Sequence, residues 1–202
     1  MGKLVFKFGA MSSSKTAQAL MTRYNYEAKG TRVWLVKSSA DTRDGADILR
    51  SRIGLQASAF VVTPNMNVKD LYEVQRMDGD SYEVIIADEA QFFTEAQIWQ
   101  FREIASQYDV VVICYGLRTD FRCQLFPGSK ALFMLADDIE EIASVCKCGR
   151  KTVVNARIAD GKVTVEGPQV EIGGNDKYES LCWTCWRKAL KENGVEDLRA
   201  LI

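Results

Sequence analysis

The sequence predicts an α/β fold, a mostly parallel sheet flanked by helices, with a small cysteine-bearing unit after it. Three observations carry this. Strand-like apolar runs alternate with helical patterns through about residue 135. A turn of small residues, Gly9-Ala10-Met11-Ser12-Ser13-Ser14, joins the first apolar run to Lys15-Thr16, where a helical pattern opens. Two cysteine pairs, Cys146-x-Cys148 and Cys182-x-x-Cys185, fall in a region of different character after about Ser144. The chain therefore divides into an α/β unit over 1–143 and a cysteine unit over 144–202.

Taken in order, Leu4–Phe8, Val33–Val36, Ala59–Val62, Glu83–Ala87 and Val110–Cys114 are apolar runs of the kind buried in a parallel sheet. Thr16–Glu27 spaces Ala17, Leu20, Met21 and Tyr24 along one helical face, and Val68–Arg76 and Glu95–Gln107 read similarly. Ser38–Ser58 is polar and reads as a long mobile loop with a short helix around Ile48. Beyond Ser144, Thr152–Ile158 and Lys162–Glu166 are short β-like runs, and Trp186–Asn193 is a final charged helix. No internal repeat or low-complexity segment stands out.

Composition narrows the function. A chain of 202 residues with 47% apolar content can bury one sizeable core. A net charge of −1 argues against a broad nucleic-acid footprint. No apolar stretch approaches the ~18 residues of a membrane span, and the charged start does not read as a signal peptide. The expected setting is a reducing cytoplasm, where the six cysteines serve as metal ligands or core residues. Histidine is absent. Proton transfer must then use a carboxylate, lysine, tyrosine or cysteine, and a zinc site must rest on sulfur and oxygen.

Strand, small-residue turn, Lys-Thr and helix is the layout of a phosphate-binding loop. The helix N-terminus offers backbone N–H groups to phosphate, Lys15 would reach the β/γ-phosphates, and the Thr16 hydroxyl would ligate Mg²⁺. By itself the turn is equally a plain N-cap. A second signal agrees: Val84-Ile85-Ile86-Ala87 ends in Asp88-Glu89. Asp88 would hold Mg²⁺ through water, as an acid at a strand end beside such a loop does. Glu89 would point to the other side of the strand and accept a proton from an attacking hydroxyl. Cys146, Cys148, Cys182 and Cys185 suit a closed structural zinc site. Cys114 sits in an apolar run and reads as core, and Cys123 has no evident partner.

These residues resemble the type II thymidine kinases, the tetrameric cytosolic class, in their bacterial form. Gly9–Thr16 is similar to the family's phosphate loop, and Asp41-Thr42-Arg43 to its Asp-x-Arg motif. Asp88-Glu89-Ala90-Gln91-Phe92-Phe93 is close to Asp-Glu-x-Gln-Phe-Phe. Tyr115–Arg122, Phe126–Ser129 and Ile172–Cys185 resemble the remaining motifs, in the family's order. The resemblance implies a P-loop, RecA-like kinase domain and a zinc-binding lasso domain. It also implies transfer of the γ-phosphate of ATP to the 5′-hydroxyl of thymidine in nucleotide salvage. Glu89 would be the base. Gly9, Ala10, Met11, Ser12, Ser13, Ser14, Lys15, Thr16, Arg43, Asp88, Gln91 and Arg157 would serve ATP and its Mg²⁺. Met11, Phe92, Leu117, Phe121, Phe126 and Tyr178 would line the thymine pocket, with backbone groups around Val170, Glu171, Ile172 and Gly173 reading the base edge. A homotetramer is implied, with no nucleic-acid or membrane partner.

Three departures stand out. Ser14 occupies the position where the loop pattern has glycine. If that position needs positive φ, the serine costs about 1–2 kcal/mol, enough to weaken ATP binding roughly tenfold. Cys146-x-Cys148 is one residue shorter than the family's usual pair, and Trp183 and Trp186 flank Cys185. Two other readings use the same residues: a catalytically weak nucleotide binder degraded at Ser14, and a zinc-dependent nucleic-acid-binding ATPase.

Overall fold

The apolar runs of the first part of the chain pair side by side into one sheet. The computed structural model describes every residue except 43, 44, 46, 172–176 and 199–202. In chain order the elements begin β1 (Lys3–Phe8), α1 (Lys15–Glu27), β2 (Val33–Ser38), β3 (Ile48–Arg50), β4 (Gln56–Ser58), β5 (Phe60–Val62) and α2 (Val68–Met77). Next come β6 (Val84–Asp88), a 3₁₀ turn (Ala90–Phe92), α3 (Glu95–Tyr108), β7 (Val111–Gly116), α4 (Pro127–Leu135) and β8 (Asp138–Glu141). The C-terminal lobe holds β9 (Val154–Ala159), β10 (Lys162–Thr164), β11 (Tyr178–Leu181) and α5 (Trp183–Glu192).

The main sheet has the order β5-β2-β6-β7-β1-β8, with parallel neighbours throughout. The period of two along each strand divides the core. Leu4, Phe6, Trp34, Val36, Ile85 and Val112 face one cluster, which Tyr72, Ile98, Phe101 and Leu132 of α2, α3 and α4 cover. Val5, Val33, Leu35, Ile86 and Ile113 face the other cluster, covered by Ala19 and Leu20 of α1 and by Leu49. With both faces buried, the strands read as continuous apolar runs. The chain leaves β1 and returns as β2, with β7 and β6 between them. Strand order reverses there, so the loops at the carboxyl ends of β1, β6 and β7 converge on one crevice.

Two elements lie outside the expected pattern. α4 begins at Pro127, which suits the first helical turn, and β8 is an acidic edge strand. Its charges pair with β1, Lys3 to Asp138 and Lys7 to Glu140 at 2.7 Å each. The segment expected as a loop with a helix around Ile48 is a β-hairpin: β3 and β4 pair antiparallel. Leu49 is its anchor, 2% exposed in the core. Ser51 staples the turn, its Oγ accepting from the Leu55 N–H at 3.0 Å and donating to the Leu55 carbonyl at 3.1 Å. Strands of three residues leave no periodicity to read, which is why propensity pointed elsewhere.

In the C-terminal lobe β10, β9 and β11 form an antiparallel sheet. Val154, Ala156, Val163, Leu181, Trp186 and Leu190 make its core. The last helix begins at Trp183, three residues ahead of the expected start, because Cys182 caps it by accepting from the Cys185 N–H. Trp186 is buried against this core, while Trp183 packs on it with ring centroids 5.1 Å apart and stays half exposed.

Candidate active site

Every group at the crevice is set by where a strand stops. β1 ends at Phe8, and the next residues wrap into the turn that opens α1. Ser12 and Ser14 both hold left-handed backbone, with φ of 62°. The condition raised by Ser14 is therefore met, and a residue with a Cβ sits where glycine is cheapest. The strain belongs to the folded loop, so it falls on folding before any ligand arrives. Lys15 is buried and crosses its own loop, donating to the Ala10 carbonyl at 2.7 Å and reaching Ser13 Oγ at 3.4 Å.

β6 ends at Asp88, beneath the first turn of α1. The Thr16 hydroxyl donates to Asp88 Oδ2 at 2.7 Å. Asp88 is buried, and burial, followed by the neighbouring Glu89 charge, pushes its carboxyl up to about 7 against the pull of Thr16 and Lys15. A hydroxyl and a carboxylate in contact at a phosphate loop form a hard-oxygen donor pair of the kind Mg²⁺ prefers.

Glu89 does not continue the strand's alternation. Its backbone turns left-handed (φ 50°, ψ 41°) and opens the 3₁₀ turn. Strain of this sort in a non-glycine residue persists where the surroundings hold it. Gln91 is what holds the carboxylate: its Nε2 donates to Glu89 Oε2 at 2.6 Å, and its Oε1 accepts from the Leu117 N–H at 2.9 Å. The Leu117 carbonyl in turn accepts from Ser129 Oγ at 2.6 Å. Gly128 lets α4 approach this closely, since a Cβ there would lie 2.6 Å from the Ala90 carbonyl oxygen. Thus Gln91 ties the acid at the end of β6 to the chain leaving β7.

These groups open onto a cavity of about 600 Å³. Met11, Ser12, Ser14, Lys15, Thr16, Glu89 and Gln91 line one side. Phe92, Leu117, Phe121, Phe126, Val170, Glu171 and Tyr178 line the other. Phe92 and Phe126 meet edge to face at 5.8 Å. Phe121 is buried, and Tyr178 Oη donates to the Glu171 carbonyl at 3.2 Å. Gly9 and Ala10 border a small recess next to it. Asp88 and Ser13 lie buried beneath the loop. Arg157, on β9, is ion-paired with Glu171, donates to the Pro168 carbonyl at 3.1 Å and stands 5.2 Å over the Phe121 ring. Arg43, Ile172 and Gly173 lie outside the described residues.

Several groups at the site had no sequence signal. Asn155 accepts from the Met11 N–H at 2.7 Å and donates to the Thr119 carbonyl at 3.1 Å. Ser180 donates to the Met11 carbonyl at 2.5 Å. The C-terminal lobe therefore grips the Gly9–Thr16 loop by its backbone. Lys37, fully buried, faces Asp41 at 3.5 Å and donates to the Ile48 carbonyl at 3.0 Å, tying the segment after β2 to the sheet. Arg52 reaches Ser12 from the β3–β4 hairpin. Apart from the Lys37–Asp41 pair, their partners lie far away in sequence or are backbone atoms, which no local pattern reports.

The four cysteines lie together at the far end of β11. Their sulfurs all fall within 4.8 Å of one another, with Cys148 and Cys182 at 3.5 Å. A tetrahedral zinc with Zn–S bonds of about 2.3 Å places its sulfurs about 3.8 Å apart, so the set fits that ion despite the short Cys146-x-Cys148 spacing. The Cys185 N–H and the neighbouring thiols favour the Cys182 thiolate, lowering it to about 6; hydrogen bonding to Cys148 and Cys182 pushes Cys185 up to about 12. Cys114 is buried core, its thiol pushed up by burial. Cys123 is half-buried against the lobe.

A family model described as thymidine kinase matches residues 2–186. A thymidine kinase of Ruegeria pomeroyi is 39% identical over 197 residues, covering 97% of this chain and 99% of that protein. One from Rhizobium meliloti is 40% identical over 95% of this chain and 100% of its own length. One from Legionella pneumophila is 40% identical over 90% and 88%.

Proposed function

The chain belongs to the thymidine kinase family, and we propose that it transfers the terminal phosphate of ATP to the 5′-hydroxyl of thymidine. The observation that carries this is that Thr16, bonded to the buried Asp88, and Glu89 line the same cavity as the aromatic side chains of Phe92, Phe121, Phe126 and Tyr178. A phosphate cradle faces a flat apolar slot, and a carboxylate stands between them.

In this reading Glu89 takes the proton of the 5′-hydroxyl as that oxygen bonds to the terminal phosphorus. The bond from that phosphorus to the bridging oxygen breaks, and ADP leaves with the electron pair. Gln91 fixes the direction of the accepting oxygen. Gly9–Thr16 offers backbone N–H groups and the Lys15 ammonium to the phosphates. Thr16 and Asp88 would hold Mg²⁺, which neutralises phosphate charge when bound. Phe92, Leu117, Phe121, Phe126 and Tyr178 enclose the base and exclude water, and Met11 closes the pocket beside the loop. In this reading backbone groups near Val170 and Glu171, two residues that line the cavity, would read the base edge.

The unit 1–143 would carry phosphate transfer, and 144–202 would form a zinc-held lasso that completes the nucleoside pocket. The four-sulfur cluster supports a structural role, because a closed site leaves no open position. We further infer a homotetramer in the cytoplasm on the family resemblance; sedimentation of the purified protein tests the assembly. No described helix is long and apolar enough to cross a membrane. The reaction is tested by incubating the enzyme with ATP, Mg²⁺ and thymidine and locating the phosphate by NMR. Phosphorus coupling to the 5′ protons is expected, and coupling at the 3′ position would contradict the assignment.

A further inference from the structure

The phosphate end of the cavity has one described cation from its own loop, Lys15, and a second that comes from the hairpin. Arg52 stands in the turn between β3 and β4, and its Nη1 donates to Ser12 Oγ at 2.5 Å. Ser12 and Arg52 both line the cavity, as do Ile53 and Gly54 beside it. Arg50 also lines the cavity, but its Nε donates to Gln56 Oε1 at 3.1 Å, and Arg157 nearby is ion-paired with Glu171. Among the described residues Arg52 pairs with no carboxylate, and its guanidinium stands beside the loop where phosphate would lie. The hairpin that carries it is braced. Leu49 is buried under α1, and Ser51 holds the turn closed on Leu55. A planar guanidinium on such a support suits phosphate oxygens better than a flexible ammonium does.

We propose that Arg52 is a phosphate-binding residue, contributed by the hairpin, that holds the terminal phosphate of the nucleoside triphosphate together with Lys15. The hairpin thereby closes the phosphate end of the cavity, and its register decides whether the terminal phosphate is fixed for transfer. This rests on the kinase reading above. A charge-assisted contact of this kind is worth about a tenfold change in affinity or more.

The test is Arg52→Ala, with direct binding of Mg·ATP, Mg·ADP and thymidine measured by calorimetry beside the wild-type chain. Arg52 is exposed, and unchanged thymidine affinity reports an intact fold. The expected result is ATP affinity lowered at least about tenfold, with ADP and thymidine affinities within about twofold. Equal losses for ATP and ADP, or no loss for either, would overturn the proposal. Wild-type thymidine phosphorylation is assayed separately. Its failure removes the kinase reading, whereas the ATP-to-ADP comparison judges Arg52 on binding alone.

Discussion

The two walls of the cavity are built by different means. The phosphate wall hangs on strand ends of a sheet buried on both faces, and tolerates strain: left-handed Ser12, Ser14 and Glu89, and a buried Asp88 beside a second carboxylate. The aromatic wall draws Tyr178 and Glu171 from a lobe whose core is a handful of side chains around Val154, Leu181 and Trp186. A unit that small seldom supports itself by apolar burial, and a metal usually makes up the difference. The large core can hold charges in costly positions; the small lobe has only a few apolar side chains with which to hold its part of the pocket. Met11, gripped by Asn155 and Ser180, is where one wall depends on the other.

The comparison breaks most sharply at Glu89. Glu89→Gln removes the proposed proton acceptor yet keeps the shape and a hydrogen-bonding partner for Gln91. Turnover should fall about 10²–10⁴-fold while thymidine affinity stays within about twofold, by steady-state kinetics and calorimetry. Loss of both together would mean that the phosphate wall also shapes the nucleoside pocket.

Metal removal attacks the other wall. A zinc chelator should release about one zinc per chain and change the fluorescence of buried Trp186. It should raise the KM for thymidine at least about tenfold, as the pocket loses its support. Far-UV circular dichroism should keep most of its signal, because the six-stranded sheet has its own core. Collapse of the whole spectrum would show that the walls are not separable.

Asp88→Asn sharpens the account of strain. Burial and Glu89 raise the folded carboxyl to about 7, well above its unfolded value. Ionised Asp88 therefore opposes folding: the opposition is complete above pH 7, fades as pH falls, and is gone below about 4. The variant should lose turnover yet resist urea better than wild type at pH 8, by on the order of a few kcal/mol, with the advantage vanishing by pH 4. A pH-independent difference would contradict the assigned cause.

Ser14→Gly is the smallest change. Relief of left-handed strain is partly offset by the freer unfolded chain, leaving a gain of about 0.5–1 kcal/mol in denaturant melts. The KM for ATP should move less than about twofold, since Ser14 already holds the required φ in the folded loop. A tenfold fall in KM would return the strain to the binding step.

The same contrast explains what could be read in advance. Gly9–Thr16 and Asp88–Phe93 are contiguous, because a strand end places neighbours in sequence at one point of the crevice; fold class and the acid followed from them. The four cysteines were legible because their chemistry is rare enough to signal through spacing. The β3–β4 hairpin was not, since its register is set by buried Leu49 and the Ser51 staple rather than by alternation. Nor were Arg52, Asn155 and Ser180, whose meaning lies in contacts to Ser12 and Met11 across 40, 144 and 169 positions. Glu89 was identified by type but misplaced in geometry, because the left-handed turn after β6 ends the strand's alternation.

The central claim, that an acid on one wall acts on a nucleoside held by the other, is tested most directly by ADP formation with and without thymidine. The account predicts that thymidine raises the rate at least about 100-fold, with one ADP formed per nucleoside phosphorylated. ADP formation that is equal with and without thymidine would make the protein an ATPase, and no formation in either case would make it a nucleotide binder; both would contradict the account.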